Sequence, residues 1–277
     1  MNIVCIGAHP DDSEYYAGGT LVKWARNGHR VLVVSLTNGD IGHFTMAGGV
    51  LARRRAAEAR KSAERAGVSE CVLDFHDGEL MPTLEVRKAV VKLIREFEAD
   101  IVLTHRPWDY HPDHRYCAMA VQDAAFMVTV PFFCPDIPAL KKNPVFLYMM
   151  DTFTKPAPLR PDIAVAVDDV MDVKWSLLDA MESQFYEWLP WLEGRLGEVP
   201  ADPVQRRVWL EKTFSPYFKG FARGARKALE KYYGAAAAKG VVHAELFEIC
   251  EYGRQPSSKE ILDLFPFLPR LKPKRGE

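Results

Sequence analysis

The chain has 277 residues, 48% of them hydrophobic, which suffices for one sizeable core. Its 36 basic and 37 acidic side chains leave a formal net charge of −1, so the basic footprint of a nucleic-acid or membrane-surface binder is excluded. No stretch approaches the ~20 apolar residues of a membrane span, no basic region opens a secretory signal, and five scattered cysteines without a C-x-x-C pair point to a reducing, cytoplasmic location.

Residues 2–7 are apolar and stop abruptly at Pro10-Asp11-Asp12, which predicts a buried first strand. Behind it stand His9, Asp11, Asp12 and Glu14, one imidazole and three carboxylates packed into a few residues. A helix follows from about Glu14 to Asn27, stopped by Gly28. Arg30 to Leu36 is β-branched and reads as the second strand, and a Gly-rich loop containing His43 leaves it. Ala52 to Ala66 is rich in Ala, Arg and Glu and reads as a helix stopped by Gly67. Glu70 to Phe75 reads as a third strand, Val86 to Phe97 as an amphipathic helix and Ile101 to His105 as a fourth strand.

A second dense stretch, His111-Pro112-Asp113-His114, opens a helix after that fourth strand. Ligands of open α/β sheets bind at strand carboxyl ends. Two copies of His-Pro-Asp at such ends offer the three protein ligands of a catalytic metal site with one position open to water. The alternation of strands and helices predicts an α/β fold, a Rossmann-like, mostly parallel sheet with helices on both faces. The Gly-x-Gly-x-x-Gly dinucleotide fingerprint is absent, since Gly18-Gly19 comes too late after the first strand. Beyond residue 125 the pattern loosens: Val145–Met149 and Ile163–Val167 read as strands and Asp169–Trp188 as one helix. An aromatic-rich region then runs to Tyr233, and 234–240 reads as a flexible tract.

The paired His-Pro-Asp motifs, with Gly18-Gly19-Thr20 after the first, resemble the zinc-dependent de-N-acetylases of the LmbE-like and PIG-L family. Arg55-x-x-Glu58 and Ser183-Gln184 resemble two further blocks of that family. The resemblance covers about residues 1–185, read as the catalytic domain, with 186–277 as an aromatic-rich, largely helical C-terminal elaboration packed on it. It implies that His9, Asp12 and His114 hold one Zn²⁺ per chain, with Fe²⁺ or Co²⁺ as alternatives. Asp11 is the general base, and zinc-bound water attacks an amide carbonyl. His111 serves the oxyanion or the leaving amine, with Asp113 either orienting its ring or capping the helix. Arg55, Tyr110 and His43 are the candidate substrate contacts.

The implied reaction removes an N-acetyl group from an N-acetylglucosamine-type conjugate, a small molecule. No nucleic acid or membrane enters, and a homo-oligomer is left open. A zinc deacylase of a non-sugar amide and a non-catalytic sugar- or nucleotide-binding module are the alternatives. One departure stands out: where the family carries a His just before Ser-Gln, this chain has Met181-Glu182, so that contribution is either absent or supplied from elsewhere, with His43 and His243 as the candidates.

Overall fold

The computed structural model describes residues 1–270. Seven strands form one sheet in the order β3-β2-β1-β4-β5-β7-β6. They are β1 (Asn2–Gly7), β2 (Arg30–Thr37), β3 (Ser69–Phe75), β4 (Ile101–Thr104), β5 (Val145–Met149), β6 (Ile163–Ala166) and β7 (Ala244–Gly253). The first five are parallel to their neighbours, while β7 runs antiparallel to both β5 and β6. From β1 the chain builds outward to β2 and β3, then returns to place β4 on the other side. The strand order therefore reverses between β1 and β4, and a crevice opens at their carboxyl ends.

Alternation along β1 explains the two-layered core, because successive side chains leave a strand on opposite faces. Ile3 and Cys5 join one apolar cluster, while Val4 and Ile6 join the other. The first face is covered by α1 (Asp12–Arg26), α2 (Gly49–Ala66), α5 (Met171–Ala180), α7 (Pro203–Gly224), α8 (Arg226–Gly240) and α9 (Ser258–Leu264). The second is covered by α3 (Leu84–Glu96) and α4 (Pro112–Met127).

The Gly18-Gly19-Thr20 motif marks where α1 meets the far end of the sheet. A Cβ on Gly19 would lie 2.8 Å from Val167 Cγ1 and 3.1 Å from Glu245 Oε1. Glu245 of β7 accepts from the Gly19 and Thr20 N–H groups (2.8 and 2.7 Å) and from Thr20 Oγ1 (2.6 Å). Lys174 of α5, fully buried, donates to the same carboxylate at 2.5 Å and to Tyr15 O at 2.8 Å. A buried ion pair satisfied on all sides thus fixes the helix that begins at Asp12.

Three expectations change in the C-terminal part. The single helix read over Asp169–Trp188 breaks at Met181, whose φ/ψ of −88°/58° is not helical, and resumes as a π-helix, Ser183–Trp188, followed by the short α6 (Leu189–Leu192). Residues 234–240 are helical, entered through a kink at Gly234 (φ 76°). Strand β7, from the expected elaboration, pairs with β5 and β6, so the sheet runs across residue 185. Residues 271–277 of that elaboration lie outside the described residues. Among the described residues all five cysteines are free, and no helix is long and apolar enough to cross a membrane.

Candidate metal centre

The end of β1 delivers His9 and Asp12, and the start of α4 delivers His114, to one point in the crevice. His9 Nδ1 lies 3.2 Å from His114 Nε2 and 3.5 Å from Asp12 Oδ2, and His114 Nε2 lies 3.2 Å from Asp12 Oδ1. Ligand atoms at zinc-bond lengths and tetrahedral angles stand roughly 3.4 Å apart. The three expected residues thus meet in a cluster of His and Asp side chains, His105 and His111 among them, that could hold a metal ion.

The outer nitrogens fit it too. A metal-binding imidazole usually holds its second nitrogen against a carboxylate. His9 Nε2 lies 3.0 Å from Asp77 Oδ1 and 3.3 Å from Asp113 Oδ2. His114 Nδ1 lies 3.1 Å from Asp109 Oδ1, close enough for an ion pair though not aligned as a hydrogen bond. The surroundings favour positive charge here. Burial works against a charged His114, but Asp12 and Asp109 outweigh it and lift its pKa to about 9. His9 is buried likewise, and Asp113, Asp12 and Asp77 hold it well above its ordinary value.

Asp11 sits at the N-terminus of α1 with φ 145° and ψ −24°, a strained backbone for a residue with a Cβ, and its side chain does not cap the helix. The carboxylate instead accepts from Arg55 Nη2 at 3.1 Å and faces the pocket. Burial raises its pKa to about 6 against the opposing pull of Arg55. Arg55 is itself buried. It donates to Pro10 O and Gly39 O (3.0 and 3.3 Å), and a Cβ on Gly39 would come within 2.7 Å of its Nε, so a glycine is needed there. Burial also lifts Glu14, beside the site, to about 8.

The placement of the other expected residues is mixed. His111 lines the pocket, and its Nδ1 accepts from the Asp113 N–H at 3.2 Å, so His111 is the residue that caps α4. The two readings of Asp113 both need correcting. Its carboxylate accepts from Gly78 N–H (2.7 Å) and Leu80 N–H (3.3 Å) and backs His9, so it orients that ring and not His111's. Tyr110 is 71% exposed and stands at the pocket rim. His43 is turned away: its Nε2 lies 2.8 Å from Glu187 Oε2 and its ring stacks on Phe44, while Ile41 and Gly42 of the same loop line the pocket. His243 pairs with Asp168 at 2.8 Å and does not line the pocket either, so neither replaces the missing family His there. Glu58 lies buried beside the third motif's Arg55. It accepts from Ser183 N–H and Oγ (3.0 and 2.6 Å) and so joins the third and fourth motifs.

Three contributors escaped the sequence reading. His105 stacks parallel on His114 (4.2 Å between ring centres) and lies 3.1 Å from Asp12 Oδ2. Asp77 and Asp109 back His9 and His114. The signal that picked out His9 was available for Asp77, which stands just past the end of β3, behind His76.

The pocket, about 370 Å³, is lined as well by Phe185 and Trp188 of the π-helix, Leu189, and Phe214 and Tyr217 of α7. Among known proteins, residues 4–125 match the family described as PIG-L, GlcNAc-PI de-N-acetylase. A diacetylchitobiose deacetylase from Thermococcus kodakarensis is 35% identical over 201 residues, 69% of this chain and 74% of that protein. The chain belongs to the PIG-L family. The N,N'-diacetylchitobiose deacetylase from Pyrococcus horikoshii, solved with its inhibitor MPG, superposes on this PIG-L member with a TM-score of 0.69 and 25% identity, over 90% of this chain and 83% of that one. The hydratase GalB from Pseudomonas putida KT2440 matches with a TM-score of 0.70 at 19% identity, which shows that the fold is shared.

Proposed function

We propose that this chain is a zinc-dependent hydrolase that removes the acetyl group from an N-acetylglucosamine-type sugar. The main support is the meeting of His9 Nδ1, Asp12 and His114 Nε2 at one point beside Asp11. The deacetylases among its relatives supply the substrate class. His9, Asp12 and His114 would hold the ion, which the same donors would also accept as Fe²⁺ or Co²⁺. Once bound, zinc supplies Lewis-acid chemistry, acidifying a water toward neutrality and polarising the amide carbonyl.

The protein's own groups handle the protons. Arg55 holds Asp11 Oδ1, leaving the other oxygen to take a proton from the attacking water and later deliver it to the departing amine. His111 serves as a hydrogen-bond donor. Burial and the nearby His9 and His114 lower its pKa, so it is neutral, and Nδ1 is committed as an acceptor, so the hydrogen sits on Nε2. His111 lines the pocket, and a neutral N–H there would suit the charge that develops on the carbonyl oxygen. Tyr110, at the rim, is left to contact the sugar, while Arg55 acts mainly through Asp11.

The test is acetate release from a panel of N-acetylglucosaminides, N,N'-diacetylchitobiose among them, before and after chelation and after zinc is restored. Release that stops with chelator and returns with zinc is expected. Release from non-sugar acetamides alone would favour a different deacylase.

A further inference from the structure

A second cavity, about 460 Å³, lies next to the catalytic pocket, between the segment that follows β5 and helix α7. Its size falls within the range of clefts that take small molecules. Phe153, Pro158, Leu159, Phe221 and Leu246 give it an apolar lining. The one charged residue that lines it, Asp151, is committed to Arg106, with Arg106 Nε 2.6 Å from its carboxylate. Nothing there would pay for desolvating a charged ligand.

Part of the α7 side of this cavity carries no side chain. Pro216, Gly220 and Gly224 all line it at a spacing of four, which puts them on one face of the helix. A Cβ at Gly220 or Gly224 would meet nothing within 4 Å, so no close packing requires either glycine. Both cost helix stability and keep the space open.

The cavity adjoins the catalytic pocket. Tyr217 lines both. Tyr110, at the rim of the catalytic pocket, lies 6.3 Å ring to ring from Phe153 of the second cavity. Tyr110, Phe153 and Tyr217 thus stand between the catalytic pocket and the apolar space. We infer that the second cavity binds an apolar aglycone, alkyl or aryl, of a substrate whose N-acetylated sugar occupies the catalytic pocket. The inference rests on the de-N-acetylase reading above and narrows it to amphipathic glycosides.

Gly220→Leu tests it. The substitution fills the cavity, favours the helix and leaves Tyr217 and every metal ligand untouched. With hexyl and methyl N-acetylglucosaminide as the pair, the wild type should favour the hexyl compound in kcat/KM by about 10-fold or more. Gly220→Leu should abolish that preference through KM and leave the methyl compound unchanged, while Gly220→Ala should keep most of it. Equal kcat/KM for the two glycosides in the wild type, or a preference that survives Gly220→Leu, would overturn the inference. So would a change in sedimentation mass on Gly220→Leu, which would make the cavity an interface between copies. If neither glycoside releases acetate, the de-N-acetylase reading fails on its own, and calorimetry then decides: tighter binding of the hexyl compound, lost in Gly220→Leu, keeps the cavity assignment, and equal binding ends it.

Discussion

The two sides of the catalytic pocket come from different parts of the molecule. On one side, His9 and Asp12 follow β1, Asp77 follows β3, and Asp109, His111 and His114 follow β4. On the other, Phe185 and Trp188 come from a π-helix and Phe214 and Tyr217 from α7, far along the chain and without a strand end beneath them. The first side is polar, cross-braced by carboxylates on imidazoles and anchored in parallel strands. The second is aromatic and lines the same pocket from helices far along the chain. On the proposed function, most of the chemistry would lie on the first side and the aglycone contacts on the second, so substitutions on the two sides should have different signatures.

The largest effect belongs to the ligands. His9→Ala should lower bound metal from about one per chain to near zero and take activity with it, since a three-ligand site has none to spare; metal analysis beside acetate release checks both. A His9→Ala protein that keeps its metal would move the centre elsewhere among the histidines. Next comes His111→Ala. Loss of one donor to a developing oxyanion costs about 10²–10³ in kcat, and metal content and KM should hardly move; steady-state kinetics on a metal-loaded sample would expose the opposite pattern, in which His111 is itself a ligand.

Lys174→Met probes the buried pair that fixes α1. Removing one partner of a buried pair costs about 3–5 kcal/mol, because Glu245 would stay buried against Gly19 and Thr20 with its countercharge gone. The urea midpoint should fall, and an unchanged midpoint would mean that the pair adds nothing net. Trp188→Ala should have the smallest effect. An aromatic face lost from the wall corresponds to about a 3- to 10-fold rise in KM for N,N'-diacetylchitobiose, with kcat and metal content preserved. Trp191, stacked behind it at 5.2 Å and 45% exposed, should matter less.

The polar side was legible in the sequence because it is local. An apolar run ending in His-Pro-Asp announces both a strand and what stands at its end, and β1, β5 and the helix ending at Ala66 match their expected extents closely. Asp77, Asp109 and His105 were harder, because each acts on a ring contributed from elsewhere, and only the sheet order brings them together. The aromatic side resisted for another reason. A π-helix has no 3.6-residue period, so the pattern after Met181 cannot say which aromatic faces the pocket. Trp188 and Tyr217 turn inward to the pocket while Phe218 and Phe221 join the core, a distinction composition does not carry. Strand β7 was missed because its partners, β5 and β6, lie some 80 to 100 residues away in the chain, beyond any local signal.

The account stands on Asp11 as the proton acceptor beside a metal it does not bind. Asp11→Asn keeps the shape and the contact with Arg55 but removes the basic oxygen. Measured on zinc-loaded protein, with metal content determined on the same sample, its kcat for N,N'-diacetylchitobiose should fall by about 10²–10⁴ while zinc stays at about one per chain. A kcat within a few-fold of the wild type at full zinc occupancy would contradict the account.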